Sequence, residues 1–350
     1  NALPVRLSRH FHLIGMVSPP SSTIASIFTK ILQWHCTQQK FEASHPFYTS
    51  LETYVNATMD VYRSALDILK PTPTKSHYVF STCDVRRVMQ GSMLIRAKEL
   101  PDGVTTTPGK VIRMWLHEVT RVFVDRVVDP KDLSLISECI NTAVKKHYKR
   151  SLKDVIEKGR SEDQEENEEE TKEGDSTGDG NKEKEKEEDA KEQSDMNESL
   201  TDIIQSNVFS TFRNMKARFY DEMPNIEKST NAANNQLKEY NAMTEAPMSL
   251  ILFQYAIAHL ARIVRILLMK GGHGLLVGMG GSGRQSLTKL ASHIARTQLV
   301  QFEISSGYGR LEWKEDLRQM LMKCGTTSED DDGTTTFLLT DTQIIDDLFI

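Results

Sequence analysis

The sequence predicts an α/β protein in which a parallel sheet with flanking helices follows an all-α subdomain. Over residues 21–150, apolar residues recur at spacings of three and four, as on one face of a helix. After residue 273, short apolar runs alternate with helical segments. An acidic stretch at 161–195, which contains no aromatic residue, leucine, isoleucine or valine, separates the two parts.

The helical subdomain is predicted from four amphipathic segments. They are "STIASIFTKILQWHC", "SLETYVNATMDVYRSALDIL", "CDVRRVMQGSMLI" and "KVIRMWLHEVTRVFVDRV". The turn-forming sequences "PTPTKS" and "KELPDGVTTTPG" lie between them. We therefore assign residues 21–150 to one helical subdomain with its connecting helices.

The acidic stretch carries 17 Asp and Glu against 5 Lys, within a chain whose formal net charge is −6. The rest of the chain is therefore net basic. A segment this polar cannot bury enough apolar surface to offset the entropy of ordering. We expect residues 151–199 to form a disordered acidic insert that serves as a solvated surface loop.

Two further helices are predicted after the insert, from "LTDIIQSNVFSTFRNMKARFY" and "EAPMSLILFQYAIAHLARIVRILLM". Residues 200–244 are assigned to linker helices and 245–350 to the α/β part. The apolar run at 250–269 is long enough for a membrane span. Its polar residues fall on one arc of a helix, however, which favours a buried helix with one solvent-facing stripe: Gln254, His259, Arg262 and Arg265.

The α/β part reads as strand, helix, strand, helix, strand. The segments are "HGLLVGMG", "QSLTKLASHIART", "LVQFEIS", "RLEWKEDLRQMLMKCG" and "TTTFLLTD". This alternation is typical of a parallel sheet with crossover helices.

The glycine-rich turn after the first strand fits a dinucleotide-binding motif. Gly278, Gly280 and Gly283 have GxGxxG spacing, and Glu303 follows twenty residues later, where an acid could bind a ribose hydroxyl. A purely structural turn between strand and helix is a further reading of the same glycines.

The same turn also fits a phosphate loop, GxxxxGK(S/T), in which Arg284 replaces the lysine and Gln285 replaces the serine or threonine. Backbone N–H groups and the positive end of the following helix can still bind phosphate. Arg284 keeps the charge with a bulkier head group. Gln285 has no hydroxyl for Mg²⁺. The candidate nucleotide-binding residues are Gly278, Gly280, Gly281, Ser282, Gly283, Arg284, Gln285 and Ser286.

The last apolar run, "TFLLTDTQ", ends in Asp341, where nucleotide triphosphatases place the aspartate of the Mg²⁺ shell. Thr342 stands where most such enzymes have a glutamate base, so no catalytic set is intact. An ordinary turn residue at the end of a strand is the alternative reading of Asp341.

The four cysteines are widely separated and form no CxxC pair, so the sequence indicates neither a disulfide framework nor a zinc site. A reducing compartment is the simpler expectation. The start, "NALPVRLSRHF", has neither an initiator methionine nor a signal peptide. We expect the sequence to be a piece of a longer protein, inactive on its own.

These motifs resemble the fourth AAA+ module of axonemal dynein heavy chains. The resemblance rests on "HGLLVGMGGSGRQSLTKLASHIA", "FEISSGYGRLEWKEDLRQMLMKCG" and "FLLTDTQI". It extends backwards: "RLSRHFHLIG", "ILKPTPTKSHYVFS" and "DVRRVMQG" are similar to the end of the third module. It covers nearly all of the chain except the acidic insert.

The resemblance implies an AAA+ P-loop NTPase module in residues 245–350, preceded by the all-α lid of the third module. Residues 1–20 would close the large subdomain of that third module. Such heavy chains are ATP-driven, minus-end-directed microtubule motors of cilia and flagella, in the cytoplasm and cytoskeleton. The implied cofactors are ATP or ADP with Mg²⁺. The implied fourth site is regulatory, with degenerate hydrolysis residues, and a purely structural module or an NAD-binding oxidoreductase domain remain as alternatives.

The implied partners are the other AAA+ modules of the same heavy chain, dynein intermediate and light chains, and microtubules reached through a stalk outside this sequence. Neither nucleic acid nor membrane is expected as a partner. Arg6 and Arg9 match the position of the arginine finger that reaches a neighbouring nucleotide. Cys83 stands where the family has a phosphate-sensing lid arginine, which Arg86 or Arg87 would have to replace. The alternative is a purely structural role for Cys83 as a small buried helix residue.

Overall fold

The computed structural model describes residues 6, 9–12, 14–15, 17, 19–95, 107–158, 208–211, 220–223, 226–303, 308–326 and 334–343. None of the helices in these ranges combines the length and the apolarity that a membrane crossing needs.

The first part of the described chain is helical. Its elements are α1 (Ser21–Gln38), α2 (Pro46–Thr49), α3 (Leu51–Ile68), α4 (Thr82–Ser92), α5 (Pro108–Val119) with the π-helical turn Thr120–Val124, and α6 (Pro130–Tyr148). All four predicted helical segments are confirmed. Helix starts follow local chemistry: Thr107 and Asp129 accept hydrogen bonds from the first turns of α5 and α6, each of which begins with proline.

One hydrophobic core holds these helices together. Trp115 on α5 and Tyr54 on α3 are fully buried in it. The Trp115 Nε1 donates to Thr58 Oγ1 at 3.0 Å, so the one polar atom of the indole is paired. The helical subdomain predicted from spacing therefore has a core of its own.

Residues 151–158 correct the predicted boundary of the acidic insert. They contain a second π-helical turn, Asp154–Lys158, and the side chains of Leu152, Val155 and Ile156 are buried in the helical core. These three residues are apolar and precede the acidic run, so they can fold with the helical subdomain. Residues 159–199, the rest of the predicted insert, lie outside the described residues.

The second part combines helices with short strands. Its elements are β1 (Phe209–Ser210), β2 (Asp221–Glu222), α7 (Ile226–Met243), α8 (Gln254–Leu268), α9 (Arg284–Ala295), β3 (Gln298–Val300), α10 (Arg310–Thr326), β4 (Thr335–Phe337) and the 3₁₀ turn Asp341–Gln343. Strands β1 and β2 pair antiparallel. Strands β3 and β4 pair in parallel, with Gln298 opposite Thr335 and Val300 opposite Phe337. The parallel sheet with crossover helix that the sequence predicts is thereby present.

The two helices predicted after the acidic stretch differ from the structure in different ways. Within the segment 200–220, Phe209 and Ser210 form strand β1, and most of the remainder lies outside the described residues. Helix α8 begins at Gln254 rather than near 245, after an extended segment in which Leu252 is buried between the exposed Ile251 and Phe253. Burial in that segment alternates from residue to residue, as in a strand, although its apolar composition had suggested that the helix extends through it.

The strand predicted for "HGLLVGMG" is wrong. Residues 272–279 have no regular structure, and Leu275, Val277 and Met279 are 90%, 86% and 85% exposed. A strand needs a neighbour for its backbone hydrogen bonds. Among the described residues the parallel sheet consists of β3 and β4, which leaves this segment unpaired.

Candidate functional site

The predicted phosphate loop is a tight turn in front of helix α9. Gly281 has φ +78° and Gly283 has φ +76°, which is left-handed backbone that residues with a Cβ adopt at a cost. The Gly283 carbonyl accepts the first helical hydrogen bond from Leu287 N at 2.8 Å. The glycines therefore turn the chain so that α9 starts at Arg284.

The space around this turn is open. A Cβ added at Gly280, Gly281 or Gly283 would meet no atom within 4 Å. Ser282 and Gln285 are exposed and Ser286 is half-buried. An anion placed there would meet backbone N–H groups and the positive end of a 12-residue helix. The residues present thus fit a bound phosphate group.

Arg284 lies back over the start of the loop. Its Nη1 donates to the carbonyl of Leu276 at 3.4 Å. Its Cδ is 3.6 Å from the point where a Cβ on Gly278 would stand, which is an ordinary van der Waals distance. The guanidinium charge therefore lies at the entrance of the loop, where a lysine would carry it in the usual motif.

A chain of hydroxyl groups joins the end of α9 to the sheet. Ser292 Oγ lies 2.8 Å from Thr297 Oγ1, which in turn lies 2.6 Å from Thr336 Oγ1 on β4. No motif in the sequence indicated these residues. They connect the loop helix to the strand that leads to Asp341.

Asp341 is exposed and begins the 3₁₀ turn after β4. Gln343, which is buried, fixes this turn: its Oε1 accepts from Thr340 N at 2.9 Å and its Nε2 donates to the Phe302 carbonyl beyond β3. Sequence reasoning missed this role of Gln343. The side chain of Thr342 lies outside the described part of the structure.

The donor set at Asp341 suits a cation that arrives with its own ligands. Within the described ranges, no group of three or more His, Cys, Asp or Glu side chains could hold a metal ion. Mg²⁺ keeps several waters and is usually bound by one or two carboxylates together with nucleotide phosphates. A single carboxylate at Asp341 fits that mode.

The other predicted residues lie on the surface. Arg6 and Arg9 are exposed, and Arg9 Nε donates to His10 Nε2 at 3.1 Å. Glu303, the acid of the dinucleotide reading, is exposed beyond the end of β3. The structure does not bring these three residues to the glycine loop through any hydrogen bond or ion pair of the described chain.

Cys83 is exposed in the first turn of α4, so the expectation of a small buried residue is wrong. Arg87 Nη1 is bound to Asp84 Oδ1 at 2.8 Å, and Arg126 Nη2 binds the same oxygen at 2.7 Å. Arg86 is exposed. Of the two arginines that could stand in for a lid arginine, Arg87 is thus already engaged.

The polar stripe of α8 faces solvent at Gln254, is half-buried at His259 and Arg262, and is buried at Arg265, where the prediction is wrong. Arg265 is 5% exposed and Glu118, on α5, is 0% exposed. Arg265 Nε donates to both carboxylate oxygens of Glu118, at 3.2 and 3.0 Å, and Nη2 contacts the same carboxylate. Tyr220 OH donates to Glu118 Oε1 at 2.7 Å. Arg265 therefore faces the helical subdomain, which supplies a buried carboxylate for it.

We call the contact between these two helix faces the charged seam; it comprises Glu118, Arg121, Asp125, Tyr220, His259, Arg262 and Arg265. The contacts at its Asp125 end are longer than those at its Glu118 end. Asp125 Oδ1 lies 3.4 Å from Arg121 Nη2, and Asp125 Oδ2 lies 3.5 Å from Arg262 Nε. None of the three guanidinium nitrogens of Arg121 has a hydrogen-bond partner, although the side chain is buried.

The pKa values of the two buried arginines shift in opposite directions at the two ends of the charged seam. Burial lowers the pKa of Arg265, but Glu118 more than offsets this and raises it above its usual value. Burial lowers the pKa of Arg121 to about 10, because Asp125 compensates it only in part. Burial and the carboxylate of Glu118 both raise the pKa of Tyr220, so this phenol stays a neutral donor.

Gly91 on α4 lies directly against the Glu118–Arg265 pair of the charged seam. A Cβ at this position would collide with the Glu118 carboxylate and would lie 2.6 Å from Arg265 Nη2. Glycine therefore permits the close approach of α4 to the ion pair.

Comparisons with known proteins agree with this arrangement. Residues 248–350 match the family described as "P-loop containing dynein motor region D4", and residues 54–159 match the "AAA+ lid domain". The helical part thus matches a lid family, and the part with the glycine loop matches a P-loop dynein motor family.

The relatives that match most or all of the chain are printed as axonemal dynein heavy chains with different numbers. The chain is 31% identical over its whole length to dynein axonemal heavy chain 3 of Homo sapiens, of which it spans 7%. It is 33% identical over 92% of its length to dynein axonemal heavy chain 12 of Rattus norvegicus, of which it spans 9%, and 29% identical over its whole length to human dynein axonemal heavy chain 6. The chain belongs to the axonemal dynein heavy chains.

Proposed function

We propose that the glycine loop from Gly278 to Ser286 holds ATP or ADP in the fourth AAA+ module of an axonemal dynein heavy chain, and that it hydrolyses ATP slowly or not at all. The site is regulatory in this proposal. The observation that carries it is the left-handed pair Gly281 and Gly283 in front of α9, with open space around both. That geometry, in a chain that matches the P-loop dynein motor region, suits phosphate.

The residues divide the work of binding. Backbone N–H groups from Gly280 to Gln285 surround the phosphates, and Arg284 contributes a positive charge. Asp341 holds Mg²⁺ together with the phosphates; when bound, the metal neutralises phosphate charge. Thr342 has no carboxylate to accept a proton from an attacking water, so hydrolysis lacks its base.

The whole heavy chain would be an ATP-driven, minus-end-directed microtubule motor of the axoneme in cilia or flagella. Its partners would be its own other AAA+ modules, dynein intermediate and light chains, and microtubules bound through the stalk. In this assembly Arg6 or Arg9 would reach a nucleotide held by the neighbouring module. The membership of the chain in the axonemal heavy chains supports these assignments.

Calorimetry tests the site on a protein that carries the whole fourth module. ADP and ATP are titrated with Mg²⁺ into the unmodified protein and into an Arg284→Ala variant, and phosphate release is measured beside them. We expect binding without appreciable turnover, weakened in the variant by on the order of tenfold, as for loss of one charged phosphate contact. Lys289→Ala, on the same helix but outside the loop, is the control.

Other outcomes separate the competing functions. Absence of binding in both proteins would leave the loop as a structural turn and place control in other modules. Retention on an NAD resin that ATP does not compete would indicate the dinucleotide site, in which Glu303 would bind ribose. Turnover comparable to a full ATPase would contradict the assignment of Thr342.

A further inference from the structure

The charged seam joins the lid to the helix that supports the phosphate loop. Glu118, Arg121 and Asp125 lie along α5 and its π-helical turn, and His259, Arg262 and Arg265 lie along α8. Glu118 meets Arg265, and Asp125 meets Arg262. The two faces thus pair in opposite chain directions.

On its other side, α8 packs against α9. Leu260 and Val264 of α8 belong to the same buried cluster as Leu290 and Ile294 of α9. Arg284, the first residue of α9, lies at the mouth of the loop. Helix α8 and its apolar contact with α9 therefore connect the charged seam to the phosphate-loop helix.

We propose that Glu118 and Arg265 are positioning residues for the nucleotide site: their ion pair fixes α8 against the lid and thereby sets the orientation of α9 and its loop. The inference rests on the proposed function of that loop. An ion pair with one partner on the lid and one on α8 would thereby determine nucleotide affinity at the fourth module.

The chemistry of the pair suits this role better than apolar packing does. A guanidinium that donates to both oxygens of one carboxylate has few alternative geometries, whereas apolar side chains can slide past one another. Tyr220 fixes the carboxylate from a third direction. The opposite end of the charged seam, with longer contacts and the unsatisfied Arg121, constrains the helices less.

The test uses a double variant, Glu118→Gln with Arg265→Gln, in a protein that carries the whole fourth module. The double change avoids the unpaired buried charge that either single change would leave. The matched control is Arg113→Gln with Glu222→Gln. This second buried pair also has its arginine on α5, but its glutamate lies on strand β2 instead of α8. Arg113 Nε is 2.9 Å from Glu222 Oε2.

Two readouts are measured on each protein. The first is the Kd for ADP at the fourth module. The second is the distance distribution between spin labels on Cys83, which is exposed on the lid helix α4, and on a Lys289→Cys substitution on α9; Cys324→Ser removes the other exposed thiol. The label distances are measured without nucleotide, so this readout does not require that the site binds one.

We expect the double variant to weaken ADP binding by on the order of tenfold and to broaden the label distances, while the control changes neither. Unchanged Kd and unchanged distances in a folded double variant would overturn the proposal. If the unmodified protein binds no nucleotide, the proposed function fails, and the label distances alone decide whether the pair positions α9. If the double variant does not fold, Arg265→Lys, which keeps the charge but loses the two-pronged contact, replaces it in the same comparison.

Discussion

Arg121 lies buried beside Asp125 with 3.4 Å between Nη2 and Oδ1, and that carboxylate also faces Arg262. One carboxylate thus faces two guanidinium groups. A buried cation with unsatisfied nitrogens costs free energy that a shape-matched apolar residue would not.

We therefore expect Arg121→Met to raise the free energy of unfolding by about 1 kcal/mol or more. Denaturant titration of the variant and the unmodified protein measures the difference. Arg126→Met, which removes the hydrogen bond from Arg126 Nη2 to Asp84, should lower stability. A loss of stability in Arg121→Met would mean that this charge is satisfied in solution.

The glycines of the loop differ in what they tolerate. Gly283→Ala forces a side chain into left-handed backbone, at a cost of about 1–2 kcal/mol, and should shift the start of α9. We expect nucleotide binding to be lost. Gly274→Ala is the matched control because it lies before the loop, its backbone does not have positive φ and an added Cβ would meet only ordinary contacts. Equal binding by both variants would show that the turn geometry is not what holds phosphate.

Gln343→Ala tests how the Asp341 turn is held. The change leaves Thr340 N–H and the Phe302 carbonyl without this partner, and we expect it to lower the free energy of unfolding by about 1–3 kcal/mol. Mg²⁺-dependent nucleotide affinity should fall with it. Gln319→Ala, at an exposed glutamine bound to Glu315, is expected to be near neutral. Equal effects of the two changes would contradict a positioning role for Gln343.

Thr342→Glu restores the acid that most enzymes of this class have beside the metal-binding aspartate. If the loop binds ATP with Mg²⁺, the new base should raise turnover by about 10²-fold. Thr342→Gln is the control, since it has similar size without a carboxylate. No gain from glutamate would place the missing catalytic element elsewhere.

Acid should weaken the charged seam through His259. Burial and then Arg262 lower the pKa of this imidazole below its ordinary value of 6.5, while Asp125 opposes the shift and Arg121 adds to it. Below about pH 6.5 the unfolded chain therefore binds more protons than the folded one, so this contribution to stability is present above 6.5 and is lost as pH falls.

Melting temperature measured from pH 7.5 to 5.5 should fall less steeply in His259→Gln than in the unmodified protein. His12→Gln, at an exposed histidine, should leave the slope unchanged. Identical slopes in all three proteins would remove His259 from the pH response.

Periodicity predicted what depends on neighbouring residues in the chain. The helices of the lid, the loop helix from Arg284 and the strands near Leu299 and Phe337 are all present. The strand at Leu275 was wrong because its order depends on a backbone partner that spacing does not describe. The solvent-facing position predicted for Arg265 was wrong for a related reason: its burial depends on pairing with Glu118, which spacing does not describe.

The candidate site divides in the same way. The glycine loop and Asp341 follow from motif spacing, whereas Gln343 and the hydroxyl chain from Ser292 to Thr336 do not, because glutamine, serine and threonine at these positions belong to no motif. Their roles come from which backbone and side-chain atoms lie within reach after folding.

Gly91 has a consequence for reading related sequences. A Cβ there would occupy the space of the Glu118 carboxylate and crowd Arg265. We therefore expect these three positions to change together among related sequences. A heavy chain with alanine at the position of Gly91 should also have exchanged the acid or the arginine, and one that keeps both should keep the glycine. An aligned set of heavy chains could therefore be sorted into those with and those without this ion pair from a single glycine.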